Sequence, residues 1–247
     1  MIDRGSKERE VKDELGAICS MLLSRADYKY VNYCFLEVVP PYINEGIKLC
    51  LENGADSITI MPYFLYPGLK LKESVKTAAH TCAAKNVKVA ITKPLTFHSI
   101  MPQIILERIS QAKTDNQICH QNSSCDIMLI GHGSSDKSAR QALLYVADAL
   151  RPFFRNVHFS FLELEHPSIA EGIELALLES PDTLILIPYF LHRGIHIKRD
   201  LVLDIKESLE NSGFGNAYLG RHLGVDNRIV DLMLERAKEV EERAGFY

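Results

Sequence analysis

The chain has 247 residues, 47% apolar and 24% charged, with a net charge of −4. That is the make-up of a globular protein, and the slightly acidic balance leaves no basis for nucleic-acid binding. No apolar run approaches the roughly 18 residues that span a bilayer, so no membrane association is expected. The polar MIDRGSKEREVKDE start does not read as a signal peptide, and six cysteines with no CxxC pair read as free thiols in a reducing cytoplasm.

The chain opens with only Met1 and Ile2 ahead of DRGS. A doubly wound sheet places its first strand centrally, so this strand is expected to be truncated, by a mis-assigned or shortened start. Further on, Phe35–Ser74 lies over Phe161–Asp200 at an offset of 126, with 17 of 40 positions identical. FLE, a Pro, I-x-EGI, an Asp, PYFL, a Gly and a Lys recur. IDRGS (Ile2–Ser6) matches IGHGS (Ile130–Ser134), and LERI (Leu106–Ile109) matches LERA (Leu234–Ala237). The chain is two homologous halves. The expected domains are residues 1–111, degenerate, and 125–247, joined by the polar linker 112–124.

In the second half, Asp126–Ile130 reads as a strand buried on both faces. A helix is expected over Lys137–Phe153 and a strand over Val157–Leu164. Ser168 and Glu171 form a capping box, opening a helix to about Glu179. The apolar run Thr183–Ile187 ends at Pro188 and leads through a loop holding His192, Gly194 and His196 into a helix from about Ile197 to Leu209. Asn216–Leu223 is a fourth strand, and Asp226 caps a last helix to about Ala244. Alternation of this kind predicts an α/β fold: two tandem three-layer α/β/α domains, each with a mainly four-stranded parallel sheet.

Parallel strands bring His132, Glu163 and His196 to one sheet edge, His132 and His196 following the first and third strands and Glu163 at the end of the second. Two imidazoles and a carboxylate suit a borderline divalent ion such as Co²⁺, Fe²⁺ or Ni²⁺, and a histidine at a helix N-terminus is held neutral by the helix dipole. Gly131, Gly133 and Gly194 remove side chains nearby, so that a flat ligand can approach. Lys137, Arg140, Arg193, Lys198 and Arg199 are solvated surface or, for a polycarboxylate ligand, its counter-charges. The repeat provides an internal control. Arg4 stands where His132 does and Lys70 where His196 does, while Glu37 matches Glu163. Loss of both histidines together fits a duplicated site gone silent; independent drift of surface histidines would also produce it. His98, His120, His158 and His222 read as polar surface, and His166 and His192 as weaker candidates for binding. Cys119, His120 and Cys125 read as an unligated linker. No GxxxxGK[ST] loop and no GxGxxG follow a strand, so neither ATP nor a dinucleotide is expected.

IGHGSSDKSAR, FLELEHPSIAEGIE and LILIPYFLHRGIHIKRDL resemble the sirohydrochlorin chelatases, in the form that carries two chelatase-like domains in one chain. The resemblance implies ATP-independent insertion of a divalent metal, cobalt first and iron or nickel as alternatives, into sirohydrochlorin for cobalamin or siroheme synthesis. It implies a metal held by His132 and His196 with Glu163 beside them, a tetrapyrrole met by Gly131, Gly133, Ser134, Arg193, Gly194, Lys198 and Arg199, no organic cofactor, and a cytoplasmic monomer with an internal pseudo-twofold. Two departures stand out: Ser135 replaces the usual Arg after HGS, and the histidines lie in the second half. A non-catalytic metal or tetrapyrrole carrier on the same fold is the competing expectation. A two-lobed periplasmic-type binding protein is disfavoured by the absence of an export signal.

Overall fold

The computed structural model describes residues 1–66, 68–194 and 197–246, with residues 197 and 198 described by their backbone alone. In the first half, β1 (Ile2–Asp3), α1 (Arg9–Arg25), β2 (Cys34–Phe35), α2 (Ile43–Glu52), β3 (Ser57–Ile60), α3 (Leu69–Ala84), β4 (Lys88–Ile91) and α4 (Ile100–Asp115) alternate. In the second half the order repeats as β5 (Cys125–Gly131), α5 (Lys137–Leu150), β6 (Asn156–Phe161), α6 (Ile169–Leu178), β7 (Thr183–Pro188), α7 (Val202–Ser212), β8 (Ala217–Leu219) and α8 (Asn227–Ala244).

The second-half sheet has four parallel strands in the order β6-β5-β7-β8. Every residue of β5 and of β7 is buried, as expected for apolar runs covered by helices on both faces. Met128, Ile130, Leu184 and Leu186 meet Ile169, Ile173 and Ile205 from α6 and α7. Gly172, in the repeated EGI, is required by this packing: a Cβ there would stand 2.8 Å from the Cβ of Ser160. The expected capping box forms, Glu171 N–H donating to Ser168 Oγ at 3.3 Å and Ser168 N–H to Glu171 Oε2 at 2.7 Å.

The first half keeps this order but not its continuity. β1 pairs with β2, and β3 with β4, as two separate two-stranded parallel sheets. They touch through the bridge Ile2–Pro62, the counterpart of the Ile130–Pro188 pairing. β1 has two residues where β5 has seven, and β2 two where β6 has six.

Three expectations need correction. The second strand ends at Phe161 rather than Leu164, because the chain turns through a positive φ at Leu164 (65°) and folds back so that Phe161 N–H reaches the Pro167 carbonyl at 2.9 Å. The fourth strand stops at Leu219. The helix after His196 begins with a π turn, Ile197–Leu201, and runs to Ser212. In addition, the stretch read as a linker from residue 112 is helical through Asp115.

Spatially the chain forms two compact units, residues 1–96 with 225–247, and residues 97–224. The last helix of each half is thus built into the unit of the other. In the second unit α4 lies along β7, and Arg108, only 8% exposed, donates to the carbonyls of His222 at 3.1 Å and Leu223 at 2.6 Å. In the first unit α8 lies along β4, and Arg236 donates to the Thr96 carbonyl at 2.9 Å. The arginine of the repeated LER motif thus ties down, in each unit, the loop that follows the fourth strand, where a buried guanidinium is tolerated because carbonyl oxygens accept from it.

Candidate active site

The loop after β5 is closed by its own side chains. Asp136 caps α5, accepting from Ser138 N–H at 3.0 Å, and Ser134 Oγ accepts from Asp136 N–H at 3.1 Å. The loop after β6 is zipped to it: Leu162 N–H donates to the Gly131 carbonyl and Glu163 N–H to the His132 carbonyl, both at 2.9 Å. The approach is so close that a Cβ on Gly133 (φ 88°) would lie 1.7 Å from the Glu163 carbonyl oxygen. Only glycine fits there. His132 and Glu163 are thereby brought together through their backbones, His132 half-buried with its ring 6.0 Å from that of Phe190 and Glu163 exposed to solvent. Glu163 lies two residues past the end of its strand, a consequence of the early turn.

His196, the third member of the expected set, and the side chain of Lys198 lie outside the described residues. Arg193 and Arg199 are exposed near the same loop. Gly194 has open space where a Cβ would be, whereas a Cβ on Gly131 would meet Leu143 Cδ2 at 3.1 Å. Gly131 and Gly133 thus have a packing reason, and Gly194 alone of the three leaves room beside it. Among the described residues, no three His, Cys, Asp or Glu side chains form a group able to hold a metal ion.

Glu165 was not anticipated. Its carboxylate is nearly covered, accepting from Ser134 N–H at 2.9 Å and lying 3.7 Å from Arg140. Arg140 in turn lies over the Phe159 ring at 5.0 Å and donates to the His166 carbonyl at 2.8 Å. This carboxylate fixes the His-bearing loop. The repeat carried the signal, since Val39 stands at the matching place in the half without histidines. His166 bonds Glu171 of the capping box at 2.8 Å, and the contact holds the Glu171 carboxyl below its usual range. His158, read as surface, lies 3.2 Å from the fully buried Asp126, which also pairs with Arg155 at 2.9 Å. His120 bonds Thr183 at 2.7 Å, and Cys119 is exposed.

In the first half the matching positions do converge. Glu37 N–H donates to the Arg4 carbonyl at 3.0 Å, and a Cβ on Gly5 (φ 116°) would lie 2.2 Å from the Glu37 carbonyl oxygen. Arg4 Nε donates to one Glu37 carboxylate oxygen at 3.0 Å and Lys70 Nζ to the other at 2.7 Å. The Lys70 bond, helped by Arg4, holds the Glu37 carboxyl below its usual range, and Glu37 raises Lys70. Two fixed cations satisfy this carboxylate.

A tandem parallel α/β fold, with its polar side chains gathered at the carboxyl ends of the strands, is the architecture of a protein that binds its ligand at that edge. The chain belongs to the CbiX family, whose model matches residues 1–112 and 126–240. It is 27% identical over 247 residues to the sirohydrochlorin ferrochelatase of Priestia megaterium, covering 98% of this chain and 89% of that one. It is 26% identical to the sirohydrochlorin cobaltochelatase of the same organism, over 85% of this chain and 69% of that one. The solved structure of SirB from Bacillus subtilis with Fe³⁺ shares the fold, with a TM-score of 0.81 at 21% identity, covering 97% of this chain and 93% of that one. No helix among the described residues is long and apolar enough to cross a membrane.

Proposed function

We propose that this chain is an ATP-independent sirohydrochlorin chelatase, cytoplasmic and monomeric, whose second half carries the reaction and inserts Co²⁺ in preference to Fe²⁺ or Ni²⁺. The observation that carries this reading is the pairing of halves on one scaffold. Arg4, Glu37 and Lys70 meet at the loop ends of the first half, and the same three positions of the second half hold His132, Glu163 and His196. Convergence of the first set supports convergence of the second.

The reaction exchanges a divalent ion for two pyrrole protons of the tetrapyrrole. His132 and His196 hold the incoming ion through neutral imidazole nitrogens, which suit these borderline metals. The half-buried His132, packed against Phe190, keeps a fixed aim. Glu163, exposed beside it, takes up protons and passes them to solvent. Arg193, Lys198 and Arg199 supply positive charge for the ligand's carboxylates, and Gly194 leaves room for its flat face. Ser134 holds the loop through its bond to Asp136.

The test is insertion by the purified protein into sirohydrochlorin with each metal in turn, followed by absorbance. Turnover with cobalt ahead of iron, lost in His196→Ala while circular dichroism is unchanged, is expected. Tight binding of metal or tetrapyrrole without turnover would overturn the enzymatic reading in favour of a carrier, and full activity of His196→Ala would overturn the site.

A further inference from the structure

Each half places an apolar residue with a left-handed backbone directly after the glutamate of its loop end. Leu164 follows Glu163 with φ 65°, and Val38 follows Glu37 with φ 75°. In both, the next N–H closes back over that residue. Glu165 N–H donates to the Glu163 carbonyl at 2.8 Å, and Val39 N–H to the Glu37 carbonyl at 2.9 Å. A bond spanning three residues with a positive φ at the middle one is the rare, strained form of the γ-turn. Glycine adopts it at least cost, and neither half has glycine there. We propose, on the chelatase reading above, that Leu164 is a substrate-contact residue, held outward by this turn so that the apolar face of the tetrapyrrole rests on its side chain.

The turn is imposed from both sides. Glu163 is held by its N–H on the His132 carbonyl and by the close approach of Gly133 to its own carbonyl. Glu165 is held by its carboxylate, which accepts from Ser134 N–H at 2.9 Å. The chain must then be back beside its strand by Pro167, whose carbonyl accepts from Phe161 N–H at 2.9 Å. With residues 163 and 165 both tied to the loop after β5, the residue between them turns outward. Leu162, two positions earlier, packs against the core, whereas Leu164 is 75% exposed. A single exposed leucine is ordinary on a protein surface. This one is set apart by its backbone, because strained residues gather at ligand sites.

Its place fits the tetrapyrrole. Leu164 adjoins Glu163, whose backbone is bonded to that of His132. The side chains assigned to the ligand above, Ser134, Arg193, Lys198 and Arg199, are all polar or charged. They suit the carboxylates on its rim, but the broad ring is apolar and is favoured by leaving water for an apolar surface. Ligand sites are lined mostly by apolar side chains with a few polar groups set among them. Phe190 is already packed against His132, and Leu164 supplies further apolar surface. In the half without histidines the same turn carries the shorter Val38, 46% exposed. The turn thus belongs to the scaffold and the longer side chain to the site.

The test uses the full chain and the variants Leu164→Gly, Leu164→Met and Val38→Gly. Each is titrated with sirohydrochlorin without metal, titrated with Co²⁺ by calorimetry without tetrapyrrole, and melted. Leu164→Gly should bind sirohydrochlorin about tenfold more weakly, the scale of leaving one leucine side chain uncovered. Its Co²⁺ affinity should be unchanged, since His132 and Glu163 keep their places. Its melting temperature should hold or rise, because relief of the left-handed residue offsets the extra freedom of glycine in the unfolded chain. Leu164→Met, apolar at the same place, should match the parent in sirohydrochlorin affinity, and so should Val38→Gly. Unchanged sirohydrochlorin affinity in Leu164→Gly would overturn the proposal, as would an equal loss in Val38→Gly. A Co²⁺ affinity or melting temperature that falls alongside would make Leu164 a prop of the loop and overturn it too. A parent that binds no sirohydrochlorin would overturn the chelatase reading and the proposal together, whereas a parent that binds it as tightly as Leu164→Gly does overturns the proposal alone.

Discussion

The two halves share the frame of their loop ends and differ in the side chains it carries. Gly5 and Gly133 both have positive φ and press against the carbonyl of a glutamate; Glu37 and Glu163 both donate their N–H to the residue before that glycine. On this shared frame one half sets two cations around a carboxylate, and the other has two histidines. A divalent ion carries the same charge as the Arg4–Lys70 pair. The first half thus carries in its own sequence the charge that, on the proposed function, the second half would take from solution. Without the histidines, the first half does not leave Glu37 as a bare carboxylate, which would be costly at a partly covered position.

The largest effect expected from disturbing this pairing is at the histidines. His132→Ala should lower metal insertion by about 100-fold or more, on the scale set by groups around metal centres. Arg4→Ala at the matching position should leave insertion within about threefold, since an exposed ion pair is worth only about 0–1 kcal/mol. Equal losses in the absorbance assay would show that the halves are not divided in this way.

Next is the glycine. Gly133→Ala places a methyl group on the Glu163 carbonyl and forces alanine into a left-handed conformation, which alone costs about 1–2 kcal/mol. Relief of the overlap adds about 1–3 kcal/mol more. Denaturant unfolding should show the sum, and activity should fall with it because His132 and Glu163 are separated. Gly5→Ala should destabilise comparably with little effect on insertion.

Converting the silent half is a further test. Arg4→His with Lys70→His should let calorimetry detect a second equivalent of Co²⁺, bound more weakly than the first. A stoichiometry unchanged from the parent would mean that the frame does not bring these positions close enough for one ion.

The smallest effect is on pH dependence. Glu37 has its folded-state pKa depressed by Lys70 and Arg4, so its contribution is present above the unfolded carboxylate range and is lost as pH falls through the depressed folded value. Lys70 has its value raised by Glu37, so its share is present below the unfolded lysine range and is lost as pH rises through the raised folded value. The cluster should stabilise between these limits. Because Glu37 and Lys70 are 34% and 42% exposed, roughly 0.5 kcal/mol is expected. Melting of Glu37→Gln against the parent, from pH 7 downward, should show the difference shrink as pH falls below the unfolded carboxylate range.

Much of this was legible in the residues. The repeat, the strand–helix alternation, the Ser168–Glu171 box and the Asp226 cap all follow from local chemistry and from comparing one half with the other. Local patterns ran too far at Leu164, where an apolar residue at a strand-like spacing takes a left-handed turn because the following loop folds back on Phe161. Glu165 escaped notice because a glutamate in an acidic loop looks like solvated surface. Its role comes from Ser134 and Arg140, brought to it by other elements.

By itself the sequence determined two copies of one parallel α/β unit, and that only the second has histidines after its first and third strands, because periodicity, capping and turn residues act over a few neighbours and the repeat reveals what each copy kept. Only the tertiary structure decided that α4 and α8 are built into each other's units, and what the LER arginines do. A helix pattern records an apolar face and a buried guanidinium, but which sheet meets that face, and which carbonyls accept from Arg108 and Arg236, depends on contacts more than a hundred residues apart.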